Sequence, residues 1–273
     1  MKSEALGNFV IYDGVIEDAK NTPRFEEVTE VPLYEVVTVI DEIPLFFEEH
    51  IERLEHTAEM LGVELNRTAA QIEDDFYMLI EVNKIVSGNI KLIVNSDHYL
   101  VYEFGATHPT QKDLEDGIYA VMYDHERENP NAKLLYNEFK NSVAKYLEDT
   151  NAYEAILRSE DGELLEGSRT NLYFVKDGKV ITAPANRVLR GITRSRLENV
   201  FKNLNLEILE MIVHDYELPE MEAAFFTGTT VDVVPIRAIE SIELNSQNNE
   251  IVKSVIDGYR NLQMEYVKKK LDE

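Results

Sequence analysis

The sequence predicts an α+β protein of two domains. Its strand-like segments mostly follow one another as hairpins, which is not the regular strand–helix alternation of a doubly wound parallel sheet. Amphipathic segments with helical periodicity lie in both halves of the chain. A polar segment at 105–117, "GATHPTQKDLEDG", separates the halves and is interpreted as a linker. We therefore expect one domain at 1–110 and a second at 111–273.

The first half is predicted to contain hairpins on either side of two helices. The stretch "EEHIERLEHTAEMLGVEL" is amphipathic, because Ile51, Leu54, Ala58 and Leu61 share one face, and Gly62 ends it. The predicted segments are, in order, a strand pair at 8–18, a hairpin at 33–47 turning at Asp41–Glu42, a helix that begins at 48 and ends at Gly62, a helix at 69–85, and a hairpin at 90–104.

The second half is predicted to be richer in strands. Its helix "TRSRLENVFKNLN" has Thr193 as a candidate N-cap, since a threonine side chain accepts from free backbone N–H groups at a helix start. The predicted segments are, in order, a strand at 118–123, a helix at 137–147, strands at 152–158, 171–178 and 179–183, a helix at 193–205, strands at 206–214 and 223–239, and a helix at 248–271.

Composition excludes several functions. The chain has 273 residues and a formal net charge of −25, so its surface repels nucleic acid and anionic membranes, and neither is an expected partner. It has no cysteine, which excludes disulfides, a thiol nucleophile and cysteine-based zinc sites. The six histidines are scattered, so no metal site is expected. The first residues lack the apolar core of a signal peptide, and we expect a cytoplasmic protein.

The common catalytic signatures do not occur. The sequence has no Walker lysine motif, GxGxxG, HExxH or GxSxG. Paired acids in "EEH" and "EDD" are interpreted as solvated helix faces. Three loop segments remain as candidates, "EGSRTNLYFV" at 166–175, "RGITRSRL" at 190–197 and "TGTTVDVVPI" at 227–236, and each taken alone is most often an ordinary turn or capped helix.

Together with an upstream lysine, these segments contain the residue types that bind pyridoxal phosphate. A lysine can form a Schiff base with the cofactor's aldehyde and then move protons. A carboxylate can keep the pyridine nitrogen protonated, so that the ring accepts electrons. A glycine-led helix start and a Thr/Gly loop can hold the phosphate.

The same segments resemble the class IV aminotransferases, the fold-type IV pyridoxal phosphate enzymes. This family includes branched-chain aminotransferases, D-amino-acid aminotransferases and aminodeoxychorismate lyase. The matching stretches are "EEHIERL", "LLEGSRTNLYFVKDGKVIT", "RGITR" and "FFTGTTVDVVPIRAI". The resemblance implies a small N-terminal α/β domain, a larger C-terminal cofactor-binding domain of mixed α/β structure, and a homodimer.

The resemblance implies a role for each matching residue. Glu166 contacts the pyridine nitrogen. The phosphate is bound from the helix start, from the Thr/Gly loop and by an arginine of the first half. The residues implied at the phosphate are Gly191, Ile192 and Thr193, Gly228 and Thr229, and Arg53.

Lys133 is the predicted Schiff-base lysine. It lies 33 residues before Glu166, the spacing that family members have, whereas Lys140 and Lys145 lie inside the predicted helix. The resemblance also makes Tyr136 a weak candidate for contact with the cofactor's phenolic oxygen.

The substrate pocket matches the family less well. Where many members carry G-D-G-x-[FY]-E, this chain reads "TEVPLYEVV" and keeps only Tyr34 and Glu35. The R-x-H pair of the D-amino-acid enzymes is not found, and its candidate substitutes are Arg24, Lys91, His98 and Tyr34. We predict Tyr34 and Thr230 as substrate contacts.

Three functions stay open at this point. Asp232 and Arg237 match transaminase positions after the Thr/Gly loop, which favours an aminotransferase acting on a branched-chain or other apolar L-amino acid and a 2-oxo acid such as 2-oxoglutarate. The first alternative is 4-amino-4-deoxychorismate lyase, which releases pyruvate and 4-aminobenzoate. The second is a non-catalytic homologue that binds the cofactor or a phosphorylated metabolite.

Overall fold

The protein is an α+β protein, as predicted. Its structure, a computed structural model, describes residues 4–20, 32–106 and 108–273. The helices are α1 Phe47–Leu61, α2 Ala69–Asn83, α3 Gln111–Asp116, α4 Asn137–Thr150, α5 Ile192–Asn203 and α6 Glu250–Asp272. The strands are β1 Ala5–Tyr12, β2 Val15–Asp18, β3 Leu33–Ile40, β4 Ile43–Pro44, β5 Ser87–Val94, β6 Tyr99–Phe104, β7 Ile118–Asp124, β8 Glu154–Arg158, β9 Glu163–Gly167, β10 Asn171–Lys176, β11 Lys179–Thr182, β12 Ile208–Glu210, β13 Val213–His214, β14 Ala223–Gly228, β15 Asp232–Ile239 and β16 Ile242–Glu243.

Contacts divide the chain into two compact units. The first comprises Met1–Thr107, Ala132–Asn137 and Gln263–Glu273, and the second comprises His108–Asn131 and Glu138–Leu262. Both units are therefore discontinuous along the chain. The single boundary expected after residue 110 stays a prediction about folding domains.

The first unit is built on an antiparallel sheet in the order β2-β1-β6-β5-β3-β4. The turn between β3 and β4 falls at Asp41 and Glu42, as predicted, and both have positive φ angles of 50° and 66°. Two such residues make a turn whose twist matches that of the strands it joins. The predicted end of the first helix is also confirmed, because Gly62 is the C-cap of α1 with a φ of 66°.

Helices α1 and α2 pack on this sheet through their apolar faces. Ile51 and Leu54 of α1, predicted to share a face, are buried with Phe76 and Leu79 of α2 and with Leu92 of β5. Burial of these side chains supplies the main favourable free energy of the unit.

The second unit contains a closed barrel. Strands β10, β14, β15, β7, β8 and β9 pair in that order, and β9 then pairs with β10 through Glu166 and Asn171. The pairs β15–β7 and β7–β8 are parallel and the others are antiparallel. Apolar side chains such as Ile156, Phe226 and Val234 fill a common core.

Two details differ from the sequence predictions. The stretch interpreted as a linker contains α3, whose N-cap Thr110 exchanges hydrogen bonds with Asp113 in a capping box. The acids of "EDD" do not all lie on a solvated face, because Asp75 is 1% exposed and forms an ion pair with Arg67. Among the described residues, no helix has the length and apolar character needed to cross a bilayer.

Candidate active site

In the first unit, Glu35, His50 and Arg53 form a buried polar cluster. His50 and Arg53 lie three residues apart on α1, so both side chains point to the same side of the helix, where Glu35 extends from β3. Glu35 Oε2 lies 2.7 Å from His50 Nδ1, and Arg53 donates to both carboxylate oxygens from Nε at 2.7 Å and Nη2 at 2.6 Å. The carboxylate therefore fixes the orientation of the guanidinium.

Charges inside this cluster are set by its burial and by its ion pair. Burial alone raises the pKa of Glu35, but the Arg53 charge and the His50 hydrogen bond outweigh it and lower the pKa from 4.5 to about 2. Burial lowers the pKa of His50, against the opposing effect of Glu35. At neutral pH a neutral His50 therefore donates its Nδ1–H to an ionised Glu35, because a carboxylate can only accept.

Stability of the protein should depend on Glu35 in a defined pH range. Its folded-state pKa lies below the ordinary value, so its contribution is present above about pH 4.5 and is lost as the pH falls toward about 2. A shift of this size corresponds to about 3 kcal/mol. Urea unfolding of the wild type and of Glu35→Gln should give curves whose free-energy difference shrinks over this range. Exposed Glu52, mutated to Gln, is the control, because a surface substitution outside the cluster should change the free energy of unfolding little.

Lys133 lies in a short non-helical segment of the first unit. Its carbonyl accepts from the Tyr34 N–H at 3.3 Å, and the adjacent Leu134 bridges to Leu33 of β3. The side chain is half-buried, with Nζ 4.7 Å from the centroid of the Tyr34 ring, and its charge contributes to lowering the pKa of His50. Lys133 is therefore held against β3 beside an aromatic ring, unlike a freely solvated surface lysine.

Other candidates of the first unit have different surroundings. Tyr136 is 41% exposed. Lys91 is 2% exposed, pairs with Glu4, and lies 5.7 Å from the Tyr34 ring centroid. The His98 ring contacts the side chains of Asp13 and Tyr12 through its Nδ1 atom. Arg24 is outside the described residues. Their substrate and cofactor roles stay predictions.

In the second unit, Glu166 is a buried carboxylate with several donors. It lies on β9 at the closing pair of the barrel and is 3% exposed. Its Oε1 accepts from Arg127 Nε at 2.9 Å, and its Oε2 accepts from the Leu189 N–H at 3.1 Å and from the Asn171 amide at 3.5 Å. A buried charge needs such partners, because an unpaired one is costly.

Asn171 brings the three predicted loop segments together. On β10 it pairs with Glu166 on one side and with Thr227 on the other. Its amide also donates to the Leu189 carbonyl at 2.8 Å, two residues before Gly191. The carboxylate, the helix start and the Thr/Gly loop therefore meet around one residue.

The helix start differs from its prediction. Thr193 is not the N-cap of α5, because Gly191 takes that position and the helix begins at Ile192. Gly191 supplies no side-chain cap, so the cap residue itself does not compete for the backbone N–H groups of the first turn. Arg194 faces the other way and donates to the Ala183 carbonyl and to Glu210.

Gly191 has no room for a side chain. A Cβ atom there would lie 2.3 Å from Asn171 Oδ1. Gly191→Ala should therefore displace Asn171 and cost about 1–3 kcal/mol, seen as a lower melting temperature of the unliganded protein. Gly228→Ala is the matched control, because its Cβ would meet its nearest atom at 3.4 Å, an ordinary contact. Equal losses in the two variants would contradict this explanation.

The Thr/Gly loop connects β14 to β15. Gly228 ends β14, and the Val231 N–H donates to its carbonyl at 3.1 Å. Thr229 and Thr230 are partly exposed, whereas Thr227 is fully buried and its hydroxyl has no hydrogen-bond partner among the described residues. A buried hydroxyl without a partner is uncommon.

Sequence reasoning left some of these residues without a role. His50 and Asn171 lie inside the matching stretches "EEHIERL" and "LLEGSRTNLYFVKDGKVIT", so the sequence did contain a signal for both. Glu35 had also been noted without a function. Arg127 gave no sequence signal, since only folding brings its loop to Glu166.

Comparisons with known proteins identify the family. The model of amino-transferase class IV matches residues 32–239, most of the chain. D-alanine aminotransferase of Bacillus licheniformis is 27% identical over 232 residues, which cover 78% of this chain and 81% of that protein. A probable branched-chain-amino-acid aminotransferase of Aquifex aeolicus is 29% identical over 238 residues, which cover 80% of this chain and 76% of that protein.

A solved structure agrees with these matches. That of a putative branched-chain amino acid aminotransferase from Thermotoga maritima has a TM-score of 0.84 at 21% identity and covers 94% of this chain and 96% of that one. The predicted fold-type IV architecture is confirmed. The chain therefore belongs to amino-transferase class IV, a family of pyridoxal phosphate-dependent transaminases.

Proposed function

We propose that this protein is a pyridoxal phosphate-dependent aminotransferase that moves an amino group from a branched-chain or other apolar L-amino acid to a 2-oxo acid such as 2-oxoglutarate. One observation carries the proposal. A buried carboxylate, an uncapped helix start and a buried hydroxyl without a described partner meet around Asn171. This set fits a ligand that has a basic ring nitrogen at one end and a phosphate at the other.

Glu166, the α5 helix start and the Thr/Gly loop supply contacts to the ring nitrogen and the phosphate in this proposal. Glu166 accepts the N–H of the ring nitrogen and holds the proton there. Ile192 and Thr193 donate backbone N–H groups to the phosphate at the positive end of the α5 dipole. Gly228 and Thr229 bind the phosphate from the other loop, and the buried Thr227 hydroxyl is a further donor beside them.

Lys133 and Arg53 carry the proton transfer and the positive charge in this proposal. When bound, the cofactor supplies an aldehyde that a lysine can bond and a ring that accepts electrons. Lys133 would hold that aldehyde covalently through Nζ, and its amine, once displaced by the amino group of the donor, would take the proton from the α-carbon. Arg53, whose guanidinium is oriented by Glu35, supplies the positive charge that binds the phosphate. Tyr34, beside Lys133, contacts the substrate, as does Thr230.

The choice of substrate rests on the loop after Thr229. Asp232 and Arg237 stand at transaminase-like positions, and several relatives are named as branched-chain enzymes. Other relatives are named as D-alanine aminotransferases, so D-alanine is the competing donor to be tested. A homodimer is part of the proposal through the family resemblance, and a cytoplasmic location is kept from the sequence analysis as an expectation.

The test begins with the absorption spectrum of the purified protein mixed with pyridoxal phosphate. We expect a visible band that L-leucine and L-glutamate each remove and that a 2-oxo acid restores. Borohydride reduction followed by peptide mass spectrometry should locate the cofactor on Lys133. Reaction with D-alanine but with no L-amino acid would overturn the substrate assignment.

Two further outcomes would overturn the transamination proposal. A band that no amino acid changes, together with pyruvate release from aminodeoxychorismate, would identify a lyase. The absence of any band would leave a non-catalytic homologue.

A further inference from the structure

Arg127 connects the Glu166 carboxylate to the turn that follows it. Besides its bond to Glu166 Oε1, it donates from Nη2 to the Ser168 carbonyl at 2.8 Å. Its guanidinium carbon lies 5.7 Å from the centroid of the Phe139 ring, a cation–π arrangement. The guanidinium is thus held by three partners on different parts of the second unit, and Arg127 is only 18% exposed.

We infer that Arg127 is a positioning residue that keeps Glu166 ionised and fixes its orientation for the cofactor's ring nitrogen. The inference rests on the proposed function. It assigns Arg127 no contact with the cofactor or substrate, because Arg127 acts through the carboxylate.

The two carboxylate oxygens of Glu166 accept hydrogen bonds from different kinds of donor. Oε1 accepts from the cation Arg127, while Oε2 accepts from the neutral donors Leu189 N–H and Asn171. An ionised carboxylate has about four acceptor positions, so Oε2 can also take the N–H of a protonated ring nitrogen. With Oε1 bound to a fixed cation, the carboxylate is prepared to accept at Oε2 without turning.

Removing one partner of a buried ion pair lowers the free energy of unfolding more than removing both partners. Without Arg127, the buried Glu166 carboxylate would lose the cation that donates to its Oε1, and it would more readily take up a proton or turn away. An amide at position 166 needs no cation. The loss of Arg127 should therefore lower cofactor affinity and stability when residue 166 is a glutamate, and change both little when residue 166 is a glutamine.

The experiment is a double-mutant cycle of Arg127→Met and Glu166→Gln. Cofactor affinity and the melting temperature of the unliganded protein are both measured. Arg127→Met should weaken pyridoxal phosphate binding by about tenfold or more. The double variant should bind within about threefold of Glu166→Gln alone, because the effect passes through Glu166. The melting temperature should likewise fall further in Arg127→Met than in the double variant.

Two more variants separate positioning from a general structural effect. Arg127→Lys keeps a cation and should retain the wild-type absorption spectrum of the bound cofactor, which reports the charge on its ring, whereas Arg127→Met should alter it. Arg187→Met is the matched control, because Arg187 pairs with Glu163 on the same strand as Glu166. It should leave both the affinity and the spectrum unchanged.

The outcomes distinguish this inference from the proposed function. If the wild type binds the cofactor and Arg127→Met weakens binding equally in the wild-type and Glu166→Gln backgrounds, the role of Arg127 is overturned and the proposed function stands. An unaltered affinity and spectrum in Arg127→Met would overturn it as well. If the wild type binds no cofactor, the proposed function fails first and the role of Arg127 falls with it.

Discussion

Lys133→Ala is expected to abolish measurable transamination, a loss of about 10²–10⁴-fold or more in turnover. The variant lacks both the amine that bonds the cofactor and the group that moves the substrate proton. The fold should persist, because the variant keeps the hydrogen bond from the Tyr34 N–H to the carbonyl of residue 133 and the bridge of Leu134 to Leu33. Steady-state kinetics with L-leucine and 2-oxoglutarate, together with the absorption spectrum, measure the effect.

The matched controls are Lys140→Ala and Lys145→Ala. Both lysines lie on exposed positions of α4, shortly after Lys133 in the sequence. Wild-type turnover is expected in both. If Lys133→Ala kept wild-type turnover, or if either control lost it, Lys133 would not be the catalytic lysine.

Glu166→Gln is expected to retain the cofactor but lose most turnover, about 10²-fold or more. A neutral amide no longer favours a protonated ring nitrogen, so the ring withdraws electrons less strongly. The cofactor should remain because Lys133 and the phosphate contacts are unchanged, although the glutamine NH2 group cannot accept the hydrogen bonds that one of the two carboxylate oxygens accepts. Cofactor retention after gel filtration and the turnover number with L-leucine give the two readouts.

Glu163→Gln is the control for this variant. Glu163 lies on the same strand and pairs with Arg187 at 2.6 Å, yet it is not a predicted site residue. Near-normal turnover is expected from it. Unchanged turnover in Glu166→Gln would remove the role assigned to Glu166.

Much of the secondary structure was predictable, because the signals are local. The turn at Asp41–Glu42 and the helix end at Gly62 follow from short-range patterns that no distant contact opposes. Thr193 shows where local reasoning fails. A threonine is a good N-cap, but α5 begins at Ile192, after Gly191. A Cβ atom at position 191, just before α5, would collide with Asn171, which lies on strand β10.

Charged residues were predicted less well. Asp75 was expected on a solvated helix face, because acids on helices usually are, but it is buried against Arg67. The Glu35–His50–Arg53 cluster likewise depends on a strand and a helix that pack together. Burial and ion pairing both need the positions of residues distant in sequence, which periodicity does not provide.

The sequence by itself determined the family and the order of its motifs, because the residue types and their spacing survive without coordinates. It also placed Lys133 and Glu166 at the family's spacing. Only the tertiary structure decided that Asn171 joins the carboxylate, the helix start and the Thr/Gly loop. Only the fold brought Arg127, from a loop with no recognisable signal, to within 2.9 Å of Glu166. The physical reason is that a barrel closes by pairing strands, and closure brings together side chains whose partners cannot be read from neighbouring residues.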